Sequence, residues 1–165
     1  MSDNKLSMLN VSAIVISNIR NSLCPRLLVM KKTYPIGFEL FNVKTPFGID
    51  VAYGKSYIKL EFESQTEQYL LLREIEKRLM TLQHPIALKS CLYGSCGISA
   101  LLDKNVEIYL KDTKNIQETE NILKPISCYG ISRGDILDVV AELGNIYVHN
   151  NECTYKYIVK RIIKH

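Results

Sequence analysis

Residues 44–62, KTPFGIDVAYGKSYIKLEF, alternate apolar and other side chains on both sides of Gly54. The apolar positions that share one parity are Phe47, Ile49, Val51 and Tyr53 before the glycine and Ile58, Leu60 and Phe62 after it. A period of two is typical of half-buried strands, so the stretch predicts a β-hairpin that turns at Gly54-Lys55. Ile58, Leu60 and Phe62 are expected in the core, and the shared parity of the first strand is expected on its inner face, which leaves Tyr57, Lys59 and Glu61 on the outer face of the second strand.

Several other segments have the composition of short strands joined by turns. They are residues 9–16, 26–32, 34–43, 86–99, 105–111, 136–143, 145–151 and 154–163. Residues 18–25 and 114–125 are interpreted as connections, the second with room for a short helix. Turns are expected at Gly144-Asn145 and at His149-Asn150-Asn151.

Residues 68–82 have the period of an amphipathic helix. Its apolar positions are Leu71, Leu72, Ile75, Leu79 and Leu82. Residues 64–67, SQTE, form a capping-box pattern in front of it, and Pro85 follows its end. Many short strands and this helix indicate a mainly β (α+β) protein. An OB-like β-barrel with one amphipathic mid-chain helix is the compact solution.

The chain has 165 residues, which is the length of one domain that buries roughly 70% of its unfolded surface. We therefore expect a single OB-like domain over residues 1–165. The opening MSDNKLSMLN has no basic region followed by an apolar core, and no apolar run has the length of a membrane span. The expectation is a soluble, intracellular protein.

The cysteines form an odd set without a CxxC pair, and they are Cys24, Cys91, Cys96, Cys128 and Cys153. This pattern fits free thiols in a reducing compartment. Cys91 and Cys96, in CLYGSC, leave open a metal site with a third cysteine, although the spacing is loose and no second pair follows. No metal ligand is assigned, and no cofactor is expected.

The sequence lacks the common catalytic motifs: a P-loop, GxGxxG, GxSxG and the zinc-hydrolase signatures. Its histidines are His84 before a proline, His149 in an expected turn and His165 at the last position. These positions favour surface histidines over general acids or bases. The sequence therefore predicts no enzymatic activity, and a nuclease-type or zinc-dependent enzyme is a distant alternative.

Cationic and aromatic residues alternate along several predicted strands. The groups are Lys31, Lys32 and Tyr34; Tyr53, Lys55, Tyr57 and Lys59; and Tyr155, Lys156, Tyr157, Lys160 and Arg161. Such surfaces suit single-stranded nucleic acid, because bases stack on rings and the backbone needs a cationic groove. A net charge of +4 permits a polyanionic partner without requiring one. Tyr155 and Tyr157 share a parity with Val159, so the pattern also leaves open that both are core residues.

Two segments carry a resemblance to a known family. They are TPFGIDVAYGKSYIKLEF, which precedes the helix, and ILKPISCYGISRGDILDVVAELGNIYVHNNECTYKYIVKRI, which closes the chain. Together they resemble the OB-fold single-stranded-DNA-binding proteins of nucleocytoplasmic large DNA viruses, which are similar to phage replication SSBs. In that family a Pro-Phe-Gly hairpin precedes a helix, and a short aromatic strand, an Asn-rich turn and a basic strand come last. The resemblance implies sequence-independent binding of single-stranded DNA in viral-type replication or recombination.

The pattern and the resemblance together select the candidate nucleic-acid-binding residues. Stacking or edge contacts are predicted for Tyr53, Tyr57, Tyr147 and Tyr155, and phosphate contacts for Lys32, Lys44, Lys55, Lys59, Lys156 and Lys160. Tyr147 stands where such proteins commonly carry tryptophan, which weakens the stacking expected there. The chain ends in the basic KYIVKRIIKH, whereas phage members end in an acidic tail, so recruitment through a tail is not carried over.

The expected partners are single-stranded DNA, with RNA as the alternative, and then a second copy of the chain or replication proteins. No membrane partner is expected. A viral protein of this kind would act in the host cytoplasm or nucleus at sites of replication. The alternative function is a structural or adaptor protein of a viral or replication assembly, which would bind protein rather than nucleic acid.

Overall fold

The structure is a computed structural model that describes residues 10–19, 22–63, 67–82, 87–93, 96–112 and 122–165. In chain order, its strands are β1 (Ile14–Ile19), β2 (Ser22–Val29), β3 (Lys32–Tyr34), β4 (Gly37–Thr45), β5 (Ile49–Ala52), β6 (Lys55–Glu61), β7 (Ala87–Lys89), β8 (Leu92–Tyr93), β9 (Gly97–Asp112), β10 (Ile122–Pro125), β11 (Asp135–Leu143), β12 (Tyr147–His149), β13 (Glu152–Thr154) and β14 (Tyr157–Lys164). Helix α1 spans Glu67–Leu82, and short 3-10 turns span Val11–Ala13 and Cys128–Gly130.

Five strands close into a barrel. Around it, β4 pairs with β6, β6 with β9, β9 with β14, β14 with β11, and β11 with β4. The β9–β14 pair is parallel and the other four are antiparallel. In chain order the barrel strands are therefore arranged first, second, third, fifth, fourth, which is a Greek-key closure of the OB type. The predicted OB-like β-barrel is confirmed.

The remaining strands are attached to this barrel. β5 extends the sheet as a hairpin with β6, and β10 and β8 pair with β9. One separate sheet has the order β1-β2-β3, and another has the order β12-β13-β7. The last of these places a small hairpin, β12–β13, between the fourth and fifth barrel strands. Among the described residues, two hairpins thus flank the groove strands in the chain: β5–β6, which contains the second barrel strand, and β12–β13, which precedes the fifth.

Alternation of apolar residues builds the barrel interior. In β11, Leu137, Val139, Ala141 and Leu143 are buried, whereas the residues between them are not. Helix α1 adds Tyr69, Leu72, Ile75 and Leu79 to the same core. The Tyr69 ring lies 5.5 Å from that of Phe62 at the end of the hairpin segment. The predicted amphipathic mid-chain helix is therefore confirmed, while the capping-box residues Ser64 to Thr66 lie outside the described residues.

Several strand boundaries differ from the sequence prediction. Residues 18–25 were expected to be a connection, but all of them that the structure describes belong to β1 or β2. The strand predicted at residues 105–111 is the second half of β9, which begins at Gly97. Residues 122–125 form β10 instead of a loop or short helix. Residues 18–25 pair within the β1–β2 hairpin, β10 pairs back on β9, and β9 is continued by its pairing with β14, so strand pairing overrides the local turn-forming composition.

Candidate nucleic-acid interface

The β5–β6 hairpin turns at Tyr53-Gly54, one residue before the predicted Gly54-Lys55. Ala52 pairs with Lys55, so the loop has two residues, with φ of +52° at Tyr53 and +74° at Gly54. Two left-handed residues in a two-residue loop match the twist of an antiparallel hairpin. Glycine accepts this backbone freely, but a tyrosine is strained in it. The strained Tyr53 side chain is fully exposed.

The second strand of this hairpin has the predicted faces. Ile58, Leu60 and Phe62 are buried, Tyr57 is half-buried and Lys59 is exposed. The inner face predicted for the first strand is wrong for Val51, which is 72% exposed, whereas Tyr53, a predicted stacking residue, is 101% exposed at the turn. β5 pairs with β6 at the end of the sheet, so the apolar side chains on its one face have no opposing layer to pack against.

Phe47 was also expected on the inner face, but half of its surface is exposed. The Nζ atom of Lys59 lies 5.7 Å from the centroid of its ring, within the range of a cation–π contact. The hairpin therefore presents a ring and an ammonium group that touch each other on its outer surface. Because the pair is exposed, it remains accessible to a base or a phosphate.

A row of side chains crosses the outside of the barrel next to this hairpin. Tyr57 in β6 pairs with Leu101 in β9, Leu101 pairs with Ile158 in β14, and Ile158 pairs with Glu142 in β11. All four are half-buried, and Leu101, Ile158 and Glu142 each lie between two buried neighbours of opposite parity. The ring and the two aliphatic side chains thus form a partly exposed apolar strip over three strands.

An open groove of about 480 Å³ follows this strip, and its lining includes Leu101, Ile158, Lys55 and Lys104. Both lysines are exposed, one at the start of β6 and one in β9. An apolar floor together with two ammonium groups suits a ligand with flat apolar faces and a negatively charged backbone. In OB folds, oligonucleotides bind to the face of the second and third strands and to the flanking loops. Here those strands are β6 and β9.

The β12–β13 hairpin, between the fourth and fifth barrel strands, begins next to a groove residue, because a Cβ on Gly144 would lie 3.0 Å from Cδ1 of Ile158. Its turn residues, Asn150 and Asn151, have φ of +49° and +61°, so the Asn-rich turn is confirmed. Tyr147 on β12 is 58% exposed, and Lys156 is exposed. The base of the hairpin is closed where the Gly144 N–H donates to the carbonyl oxygen of Lys156 at 2.8 Å. A Cβ on Gly144 would lie only 3.0 Å from that oxygen, so a side chain there would require the Lys156 backbone to shift by a few tenths of an ångström.

Tyr155 does not belong to a binding surface, and its prediction as a stacking residue is wrong. Its side chain is 1% exposed, and its ring lies 5.5 Å from that of Tyr157 in an edge-to-face contact. Its hydroxyl donates to Oε1 of Glu76 in α1 at 2.8 Å. Burial raises the pKa values of both tyrosines, so both rings remain neutral. The parity shared with Val159 places both tyrosines in the core, as the alternation left open.

The predicted lysines are distributed over different parts of the fold. Lys44, at the end of β4, is exposed and pairs in register with Glu61 of β6, near the hairpin. Lys32 is exposed on β3, which belongs to the separate β1-β2-β3 sheet. Lys160 is ion-paired, with Nζ 3.3 Å from Asp103 and 3.8 Å from Glu142. The groove itself therefore contains Lys55, while Lys160 is partly neutralised beside it.

Cys91 and Cys96 were considered as metal ligands. The Cys91 thiol is buried and donates to the carbonyl oxygen of Tyr155 at 2.8 Å. Burial raises the pKa of this thiol to about 11, so the sulfur keeps its proton. Within the residues that the structure describes, no group of three His, Cys, Asp or Glu side chains could hold a metal ion.

Sequence reasoning missed several groove residues. Ile158 falls in a predicted strand as an ordinary position, whereas Leu101 and Lys104 fall between the predicted strands 86–99 and 105–111. Cys128 also lines the groove, and the adjacent Tyr129 is 92% exposed on the 3-10 turn. Tyr129 has no alternating neighbours to mark it. The sequence signal for this residue is a tyrosine followed by a glycine, in CYGIS.

Comparison with known proteins supports the fold. No family model matches the sequence, and no curated protein matches it. Similar solved structures include a C-terminal truncation of the single-stranded DNA-binding protein from bacteriophage Enc34, and that protein in complex with ssDNA. For each, the TM-score is 0.51 at 12% identity, covering 92% of this chain and 94% of the other. The chain therefore shares its fold with this phage protein over nearly the whole of both chains.

Proposed function

We propose that this protein binds single-stranded DNA without sequence preference. The observation that carries the proposal is the groove over β6, β9 and β14, whose lining combines the apolar side chains of Leu101 and Ile158 with Lys55 and Lys104. Unpaired bases would lie against the floor and against the exposed rings of the two hairpins. The phosphates would follow the lysines. The likeness in fold to a phage protein that is described in complex with ssDNA adds support.

The chemistry of the groove favours single strands over duplex. In a duplex the base faces are stacked on each other, and the apolar strip would meet only phosphates and sugars. In a single strand each base can place one face on Tyr57, Tyr53 or Tyr147, which is worth about 1 to 3 kcal/mol per stacked base. Leu101 and Ile158 lack hydrogen-bonding groups, so they contact all four bases in the same way.

The biological role that we propose is protection of single strands during viral-type DNA replication or recombination, without catalysis by the protein itself. The predicted origin among nucleocytoplasmic large DNA viruses stays a prediction, as does the choice between host cytoplasm and nucleus. Among the described residues, no helix has the length and apolar character of a membrane span. An enzyme would be indicated by elemental analysis that finds a stoichiometric metal.

Fluorescence titration with labelled dT and rU oligomers of graded length tests the proposal. We expect affinity for dT to rise with length until the groove and hairpins are filled, and to exceed the affinity for a duplex of equal length. Lys55→Met, in the groove, should weaken binding, whereas Lys77→Met, on an exposed position of α1, should not. Equal binding of single strands and duplex, or equal effects of both variants, would exclude the groove as the binding site.

A protein-binding adaptor is the second candidate, and the β5 edge favours it. β5 is the terminal strand of its sheet path, and Val51 on it is 72% exposed. An accessible strand edge can pair with a strand of another protein. An adaptor would show no salt-dependent shift of labelled oligonucleotide, and Val51→Lys would abolish its association with the partner.

A further inference from the structure

Lys160 is held by two carboxylates next to the groove. Its Nζ atom lies 3.3 Å from Oδ1 of Asp103 and 3.8 Å from Oε2 of Glu142. Asp103 itself lines the groove. The three side chains are 29 to 42% exposed, so an anion from solvent can reach the lysine. Carboxylates therefore neutralise the Lys160 ammonium group at the place where the proposed function puts a phosphate.

Local irregularities in the strands produce this arrangement. The register between β14 and β9 shifts between Val159 and Arg161, so Lys160 lies at the irregularity. Such bulges turn a side chain away from the regular alternation. On β9, the Asn105 N–H donates to Oδ2 of Asp103 at 3.2 Å. This bond, together with Lys160, lowers the pKa of the Asp103 carboxyl, which is thus ionised and oriented at neutral pH.

We propose that Asp103, assisted by Glu142, competes with the phosphates of single-stranded DNA for Lys160 and so limits the affinity of the groove. The inference rests on the proposed function. A carboxylate and a phosphate present the same anionic oxygens to an ammonium group, and Asp103 and Glu142 together already neutralise the charge of Lys160, so a phosphate gains little attraction unless it displaces them. A phosphate that displaces Asp103 also leaves two uncompensated carboxylates beside the strand. Lys160 therefore stays with its carboxylates, and the strand is held by the other lysines.

The protein should therefore release single-stranded DNA more easily than its number of lysines indicates. A protein that coats single strands has to be removed when the strand is copied or paired. Removing the competing charge should make binding tighter, which is the opposite of what substitution of a phosphate-binding residue does. Because the expected change is an increase in affinity, the competition can be tested without knowing the path of the DNA strand.

Asp103→Asn is the primary variant, since it keeps an oxygen for the Asn105 N–H and removes only the charge. We expect about two- to fivefold tighter binding of dT oligomers at fixed salt, the range of a partly exposed ion pair. We also expect the slope of log affinity against log salt to steepen by about 0.7, because Lys160 then contacts one more phosphate. Glu142→Gln should act in the same direction and more weakly, since its oxygen is farther from Lys160.

Two controls separate competition from a general change in charge. Glu74→Gln breaks a 3.0 Å pair with Lys77 on α1 and changes the net charge equally, but it should leave affinity and slope unchanged. In a Lys160→Met background, Asp103→Asn should not steepen the slope. A gain without a steeper slope, a steeper slope in the Lys160→Met background, or an equal gain from Glu74→Gln overturns the proposal.

The remaining outcomes are also decisive. If neither the wild type nor Asp103→Asn binds oligonucleotide, the proposed function fails. If the wild type binds and Asp103→Asn binds no more tightly, the competition alone fails. If Asp103→Asn weakens binding to dC but not to dT, the carboxylate accepts a hydrogen bond from a base edge, and the competition is likewise refuted.

Discussion

Replacing two neighbours in one strand gives the sharpest test of the hairpin face. Tyr57 and Leu60 are three residues apart in β6 and have opposite parity. Leu60 is completely buried opposite Ile98, whereas Tyr57 is half-buried in the outward row with Leu101. Changing each to alanine should therefore separate binding from stability within a single strand.

The magnitudes follow from these environments. Leu60→Ala removes a fully buried side chain, which costs about 2 to 5 kcal/mol of unfolding free energy through lost burial and the cavity left behind. At about 2 to 4 °C per kcal/mol for a chain of this size, the melting temperature should fall by about 4 to 20 °C. Tyr57→Ala removes a stacking platform worth about 1 to 3 kcal/mol, which corresponds to about 5- to 150-fold weaker binding.

Both variants are measured by thermal melting and by oligonucleotide titration at one salt concentration. We expect Tyr57→Ala to lose affinity with little change in melting temperature, and Leu60→Ala to lose stability with full affinity per folded molecule. Tyr109→Ala is the matched control. Its half-buried ring packs under Arg161 and lies eight residues along β9 from Leu101, the partner of Tyr57. If Tyr57→Ala unfolds the protein while the folded fraction binds normally, Tyr57 is a core residue, and the hairpin is scaffold instead of binding surface.

Three further outcomes are expected. Log affinity for dT should fall with log salt with a slope of about −3 to −4, since each neutralised phosphate contributes about −0.7; a flat dependence would exclude the lysine groove. Tyr53→Asn should raise stability by about 1 kcal/mol, because asparagine tolerates the left-handed turn, yet weaken binding through loss of the exposed ring. A lower melting temperature or unchanged affinity would contradict this. Chelator and reductant should change neither melting nor affinity, because the Cys91 thiol is protonated and bonded to Tyr155; unfolding in chelator would instead identify Cys91 as a ligand.

Local patterns were sufficient where one element determines its own structure. The alternation of Ile58, Leu60 and Phe62 predicts the inner face of β6, because the strand has one packed side and one open side. The period of Leu72, Ile75 and Leu79 predicts the buried face of α1 for the same reason. Many short strands with one helix predict an OB-like barrel as the compact solution, and the order of hairpin, helix and basic last strand adds the resemblance to OB-fold proteins.

Long-range pairing determined the features that the sequence could not reveal. Alternation shows that Val51 and Tyr155 each lie on the same strand face as other apolar residues. It does not show whether another part of the protein packs on that face. β5 has no second layer over it, so Val51 is exposed, whereas Tyr155 lies between the barrel and α1 and is buried. Leu101 and Ile158 come together only because β9 and β14 pair in parallel, 57 positions apart in the register.

The composition of the groove bears on sequence preference. Discrimination between bases needs donors and acceptors that are fixed opposite base edges. The floor residues Leu101 and Ile158 offer none, and Lys55 and Lys104 are flexible cations suited to phosphate. Asp103 is the carboxylate of the groove that could accept from a base amino group, and Lys160 already occupies it. The ion pair that limits affinity would therefore also keep the groove indifferent to sequence, and Asp103→Asn, tested on dT, dC and dA, would report both effects in one experiment.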